Sequence, residues 1–91
     1  MGHVISCVDK TGRNIYLTNE RWAHIQKHPE MANHVFRIME TLVTPEQIIE
    51  YSPAVNYYSR FYKDMQLHLL VIVKYLNGKG FIITSFYTDR I

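Results

Sequence analysis

His24 and His28 stand four residues apart in the run Arg21-Trp22-Ala23-His24-Ile25-Gln26-Lys27-His28-Pro29-Glu30. On a helix, that spacing places two side chains on one face. Imidazoles accept and donate protons near neutral pH, which general acid–base catalysis requires. Pro29 disfavours helical geometry at His28, so the pair is expected at a helix end. The same spacing could ligate a metal. The zinc-protease pattern needs a glutamate directly after the first histidine, and Ile25 occupies that position. No cysteine cluster or third ligand completes a site. A structural reading competes, in which His24 caps or packs at the helix end and His28 makes a local bond before the proline.

A second group lies in Asn56-Tyr57-Tyr58-Ser59-Arg60-Phe61-Tyr62-Lys63. Strand alternation sets Asn56, Tyr58, Arg60 and Tyr62 on one face, and Val55, Tyr57, Ser59 and Phe61 on the other. The first set could hold a phosphate through Arg60 and stack bases on tyrosine rings. Its alternative is a solvated sheet face with ordinary cross-strand aromatic pairs. In Thr84-Ser85-Phe86-Tyr87-Thr88-Asp89-Arg90, alternation separates Thr84, Phe86, Thr88 and Arg90 from Ser85 and Tyr87. Two-residue turns at Asp64-Met65 and Gly78-Lys79 would pair Arg60 across Leu69 to Thr88, with Thr84 further along the same face. No Ser-His-Asp spacing, glycine-rich phosphate loop or carboxylate pair is visible. The hydroxyls are therefore expected to donate hydrogen bonds to phosphate rather than to act as nucleophiles.

The elements that must position these groups read as follows. His3 to Val8 and Asn14 to Leu17 form a short hairpin about the turn Asp9-Lys10-Thr11-Gly12-Arg13. Thr18 or Asn19 caps a helix running to about Lys27. A second helix starts near Pro29 and Glu30. Its apolar stripe is Met31, Val35, Ile38, Met39, Leu42 and Val43, and Thr44-Pro45 ends it. Gln47 to Tyr51, Val55 to Lys63, Leu67 to Leu76 and Phe81 to Thr88 read as four strands of an antiparallel meander. Leu67 to Leu76 is apolar on both faces and belongs at the centre. Asn77-Gly78-Lys79-Gly80 supplies a hairpin turn. The expected class is α+β: two N-terminal helices packed on one face of an antiparallel sheet of four or more strands, with a short N-terminal hairpin and the other sheet face at least partly open.

Ninety-one residues make a single domain over 1–91. The 47% hydrophobic and 13% aromatic content excludes a disordered chain. The lone Cys7 rules out an internal disulfide, fits a reducing cytoplasmic compartment and reads as a buried, inert thiol. There is no apolar run long enough for a membrane span and no signal peptide, so no membrane partner is expected. Met1-Gly2-His3-Val4-Ile5-Ser6 fits a loose myristoylation pattern but reads better as the start of a strand. A net charge of +2 leans only weakly toward anionic partners.

Trp22-x-His24-Ile25-x-x-His28-Pro29-Glu30, then Pro45, Arg60 and Phe81-Ile82-Ile83-Thr84-Ser85-Phe86-Tyr87, resemble the phage and bacterial nuclease-like domains grouped as barnase–EndoU–colicin–RelE. The resemblance covers about Leu17 to Arg90. It implies metal-independent RNA cleavage without a cofactor, by attack of the ribose 2′-OH on the adjacent phosphorus to leave a 2′,3′-cyclic phosphate. Such chemistry needs a base, an acid and cations for the phosphorane charge. The resemblance makes His24 and His28 the base and acid, in either order. Arg60 would stabilise the phosphate and Thr84 and Tyr87 would orient it. Tyr58, Tyr62, Lys63 and Arg90 would bind the substrate. RNA is the implied partner, and a cognate antitoxin or inhibitor protein would accompany a toxin. The alternative is a non-catalytic RNA- or protein-binding module of the same fold. A third, weaker reading is an interaction protein that pairs through an edge strand.

Overall fold

The computed structural model describes residues 2–90. Six strands form one sheet: β1 (His3–Val8), β2 (Asn14–Thr18), β3 (Gln47–Ser52), β4 (Val55–Tyr62), β5 (Leu67–Leu76) and β6 (Lys79–Thr88). Two helices, α1 (Asn19–Ile25) and α2 (Val35–Val43), lie between β2 and β3 in the chain. The spatial order is β1-β2-β6-β5-β4-β3. All neighbours are antiparallel except β2 and β6, which run parallel with Ile15 opposite Gly80.

This corrects the expected architecture. The helices are not N-terminal: they follow the first two strands. The sheet is mixed rather than wholly antiparallel, and the N-terminal hairpin is part of it. Hydrophobic periodicity marks each strand, but it carries no information about which distant strand pairs with which. The β2–β6 contact is of that non-local kind.

Local chemistry explains the elements. Thr18 Oγ1 accepts from the Arg21 amide at 3.1 Å and caps α1. The helix ends at Ile25, and His28 sits in extended geometry before Pro29. The expected second helix breaks in two. Pro29–Met31 forms a single 3-10 turn, Asn33 adopts a left-handed φ of 66°, and α2 begins only at Val35. Asparagine tolerates that conformation better than most residues. Asn77 and Gly78, with φ of 54° and 80°, both take the positive φ that a tight two-residue hairpin requires.

The turn therefore falls one residue earlier than expected, and a bulge between Ile72 and Val73 changes the register of β6. Tyr87, not Thr88, lies opposite Leu69. The bulge also moves Thr84 to the face away from Arg60, reversing the expected sidedness.

The helices cover one sheet face. Ile15, Leu17, Ile25, Met31, Ile38, Leu42, Tyr58, Leu69, Val71, Val73 and Ile82 are buried in that layer. Gly80 allows the central strands to approach the layer closely. A Cβ there would overlap Ile15 Cδ1 and lie 2.9 Å from Tyr75 Cε1 and Val73 Cγ1.

Candidate functional site

The polar residues of α2 recur every third position beside its apolar stripe: His34 at the N-cap position, Arg37 and Glu40. That spacing aligns them along one side of the helix. They face the end of the sheet formed by the β4–β5 turn and the last residues of β6. The Tyr87 hydroxyl lies 2.8 Å from His34 Nδ1 and accepts from Arg37 Nη1 at 3.2 Å. Arg37 Nη2 donates to Asp64 Oδ2 at 2.9 Å. The guanidinium lies over the Tyr62 ring, 4.4 Å from its centroid. Tyr62 donates to Glu40 Oε1 at 2.6 Å. The His34 and Tyr62 rings both meet Tyr87 edge-on. A base, two phenols, a cation and two carboxylates thus form one connected network, reachable from solvent through half-buried His34 and Arg37 and exposed Asp64.

The electrostatics follow from these contacts. Hydrogen bonds to Asp64 and Tyr87 hold the Arg37 guanidinium firmly protonated. The guanidinium in turn pulls the Asp64 carboxyl below the usual carboxylate range. Burial pushes the Tyr87 phenol up, and this outweighs the opposing pull of Arg37. Tyr62 is pushed up to about 12 by burial and by the Glu40 carboxylate that accepts its proton. Both tyrosines are therefore protonated donors at neutral pH.

The residues singled out in the sequence are only partly brought together. Tyr62 and Tyr87 join this network. Arg60 lies at its margin, 3.9 Å from Glu40, but donates to the Thr44 carbonyl at 2.7 Å. There it caps the C-terminus of α2, where a cation also favours the helix dipole. His24 and His28 are exposed and do not share a helix face, because α1 ends between them. α1 packs on β1, β2 and β6, whereas Arg60 lies on β4 under the end of α2. His24 instead lines a shallow depression of about 290 Å³ with Glu20 and Arg21. Thr84 is on the open face, opposite Ile72. Lys63 and Arg90 are exposed at the same sheet end as the network, and Arg90 makes a long ion pair of 3.9 Å with Asp89.

Tyr58 is not available to stack on a base. It is fully buried, and its hydroxyl donates to Asp9 Oδ2 at 2.8 Å. Tyr75 donates to the same oxygen. Asp9 Oδ1 accepts from the Thr11 hydroxyl and from the amides of Thr11 and Arg13. Burial alone would raise the Asp9 pKa, but these hydrogen bonds outweigh it and hold the carboxyl below its ordinary value. Burial and the Asp9 carboxylate push Tyr75 up. Asp9 is therefore an internal anchor that ties the β1–β2 turn to β4 and β5.

His34, Arg37, Asp64 and Asp9 were not picked out from the sequence. The three-residue recurrence of His34, Arg37 and Glu40 along an amphipathic helix was the available signal. Nothing local marks Asp64, which becomes significant only because a turn carries it to Arg37.

Comparisons with protein-family models, with characterised proteins and with solved structures find no match to this chain. The class that the structure defines is an α+β domain with two helices on one face of a six-stranded mixed sheet. No helix among the described residues is long and apolar enough to cross a membrane.

Proposed function

We propose that this protein is a metal-independent endoribonuclease, of the toxin or phage-derived effector kind, that cleaves RNA by 2′-OH attack to a 2′,3′-cyclic phosphate. The observation that carries this reading is the Tyr87 hydroxyl set between His34 Nδ1 and Arg37 Nη1. His34 Nδ1 is suited to accept the 2′-OH proton once the Tyr87 hydroxyl turns from it to the leaving oxygen. Tyr87, protonated at neutral pH, is suited to protonate the leaving 5′-oxygen. Arg37 would meet the phosphate, using the N–H donors that Tyr87 and Asp64 leave free. The Asp64 carboxylate competes with that phosphate for Arg37, and as an exposed partner it can give way at small cost. The Tyr62 ring keeps the guanidinium in place meanwhile. This assigns acid–base chemistry to His34 and Tyr87 in place of His24 and His28.

The test is incubation of the purified protein with a mixed RNA pool in EDTA, followed by end-group analysis. Cyclic phosphate ends that vanish in His34→Ala and persist in His24→Ala and His28→Ala are expected. Activity lost only in the His24 and His28 variants would return the chemistry to that pair. Absence of cleavage by the wild-type protein would favour a second reading, a non-catalytic RNA-binding module. The aromatic sheet face away from the helices supports that reading.

A further inference from the structure

The sheet face opposite the helices is uncovered, and its composition is uneven. The pairing register places Tyr16, Tyr57, Phe61, His68 and Phe81 there, and Tyr51, in a β3 bulge, joins them by stacking on Tyr57. They form three groups. His3, Tyr16 and Phe81 make a run of rings with centroids 4.7 and 5.8 Å apart. Tyr51 and Tyr57 stack at 5.2 Å, nearly parallel. Phe61 meets His68 edge-on at 5.1 Å. Several of these rings present surface to solvent, with Tyr51 68% and Phe61 38% exposed.

Charge on this face has one sign. Lys74 lies opposite Val55 and Phe81, and Lys79 opposite Leu76 and Asn14, so both lysines belong to it. Glu50 is the only carboxylate carried by any of the six strands. Its partner is buried Asn56, which puts it on the helix side. The exposed Glu46 carboxylate, which accepts from the Phe61 amide at 3.0 Å, stands at the edge beside β3. An aromatic, cationic surface whose strands carry no carboxylate on it suits a polyanion that has flat apolar groups. A second copy of the same face would meet it with like charge. The Phe61–His68 pair also lies at the sheet end where Tyr62, Tyr87, Lys63 and Arg90 gather on or beside the other face.

We propose that the open face is a docking platform for single-stranded RNA, whose bases stack on Tyr51, Phe61 and Tyr16 and whose phosphates are met by Lys74 and Lys79. The occupant's identity as RNA rests on the function proposed above, while the surface itself rests on rings and charges remote from His34 and Arg37. A strand lying there would pass over the Phe61 end of the sheet to bring one phosphate to Arg37.

The test uses a fluorescein-labelled 2′-O-methyl oligouridylate of about twelve nucleotides, read by anisotropy over a range of salt concentrations. This strand has no 2′-OH nucleophile, so binding stands or falls separately from cleavage. Tyr51→Ala and Phe61→Ala should each weaken binding about tenfold. Lys74→Ala should reduce the slope of log affinity against log salt by about 0.7. Tyr51 and Lys74 are exposed, so those variants should unfold at the wild-type temperature. Three results would overturn the platform. One is binding unchanged by all three substitutions. Another is preference of the same face for a polyglutamate peptide, which would make it a site for an acidic protein. The third is a dimer in sedimentation that Tyr51→Ala dissolves, which would make it a self-interface.

Discussion

Tyr87 is the residue on which the proposed chemistry turns, because its hydroxyl alone touches both His34 and Arg37. Tyr87→Phe removes that hydroxyl and little else, so it should cost on the order of 10²-fold in rate with a small change in melting temperature. Arg37→Lys should recover only part of the activity lost in Arg37→Ala, since an ammonium cannot make the forked contact with phosphate. Asp64→Asn should act in the opposite sense. It removes the charge that competes with phosphate for Arg37, so KM should fall; initial rates over a range of RNA concentrations would show it. Arg60→Ala should instead lower stability by about 1 kcal/mol through loss of the α2 cap, with a smaller effect on rate. Equal losses of rate in the Arg60 and Arg37 variants would put the phosphate nearer to Arg60.

At the scale of elements, the Asp9 anchor and the Gly80 contact each give a measurable expectation. Asp9 has a folded-state pKa below its unfolded value. Its contribution to stability is therefore full above about pH 4 and is lost as pH falls through the lower, folded value. Asp9→Asn should destabilise the fold by about 2 kcal/mol at neutral pH and flatten the acid limb. Urea unfolding from pH 7 down to pH 3 would measure both. Gly80→Ala should cost about 1–3 kcal/mol, because the new methyl meets Ile15, Tyr75 and Val73 in a packed layer. The strands themselves were readable from alternation and turn residues, and so was the apolar stripe of α2. The bulge at Ile83 was not, because an extra residue within the apolar run Phe81-Ile82-Ile83 leaves no mark on the pattern. That one residue decides which side Thr84 and Tyr87 face, so the network was legible only in fragments: Tyr62 and Tyr87 could be singled out from strand patterning, but not their contacts with His34, Arg37 and Glu40. Likewise, the tyrosines at 58 and 62 looked like a binding surface because the sequence could not say which face the helices would cover.

For the whole molecule, β6 is the strand that joins β1–β2 to β3–β4–β5. Its β5 ladder is a local hairpin, but its β2 ladder pairs residues more than sixty positions apart along the chain, the kind of contact that forms late. A chain stopped after Leu76 should show no cooperative unfolding transition by circular dichroism, since the N-terminal hairpin then has no neighbour to pair with. The same strand carries Tyr87. During translation, β6 is the last of these six strands to leave the ribosome, and until it does the nascent chain has neither a joined sheet nor the phenol beside His34. For the chemistry proposed above, this order means that the site is incomplete until that strand is in place. On that proposal, the messenger and the ribosome that make the chain would stay out of its reach until residues 79–88 have emerged and taken their place between β2 and β5.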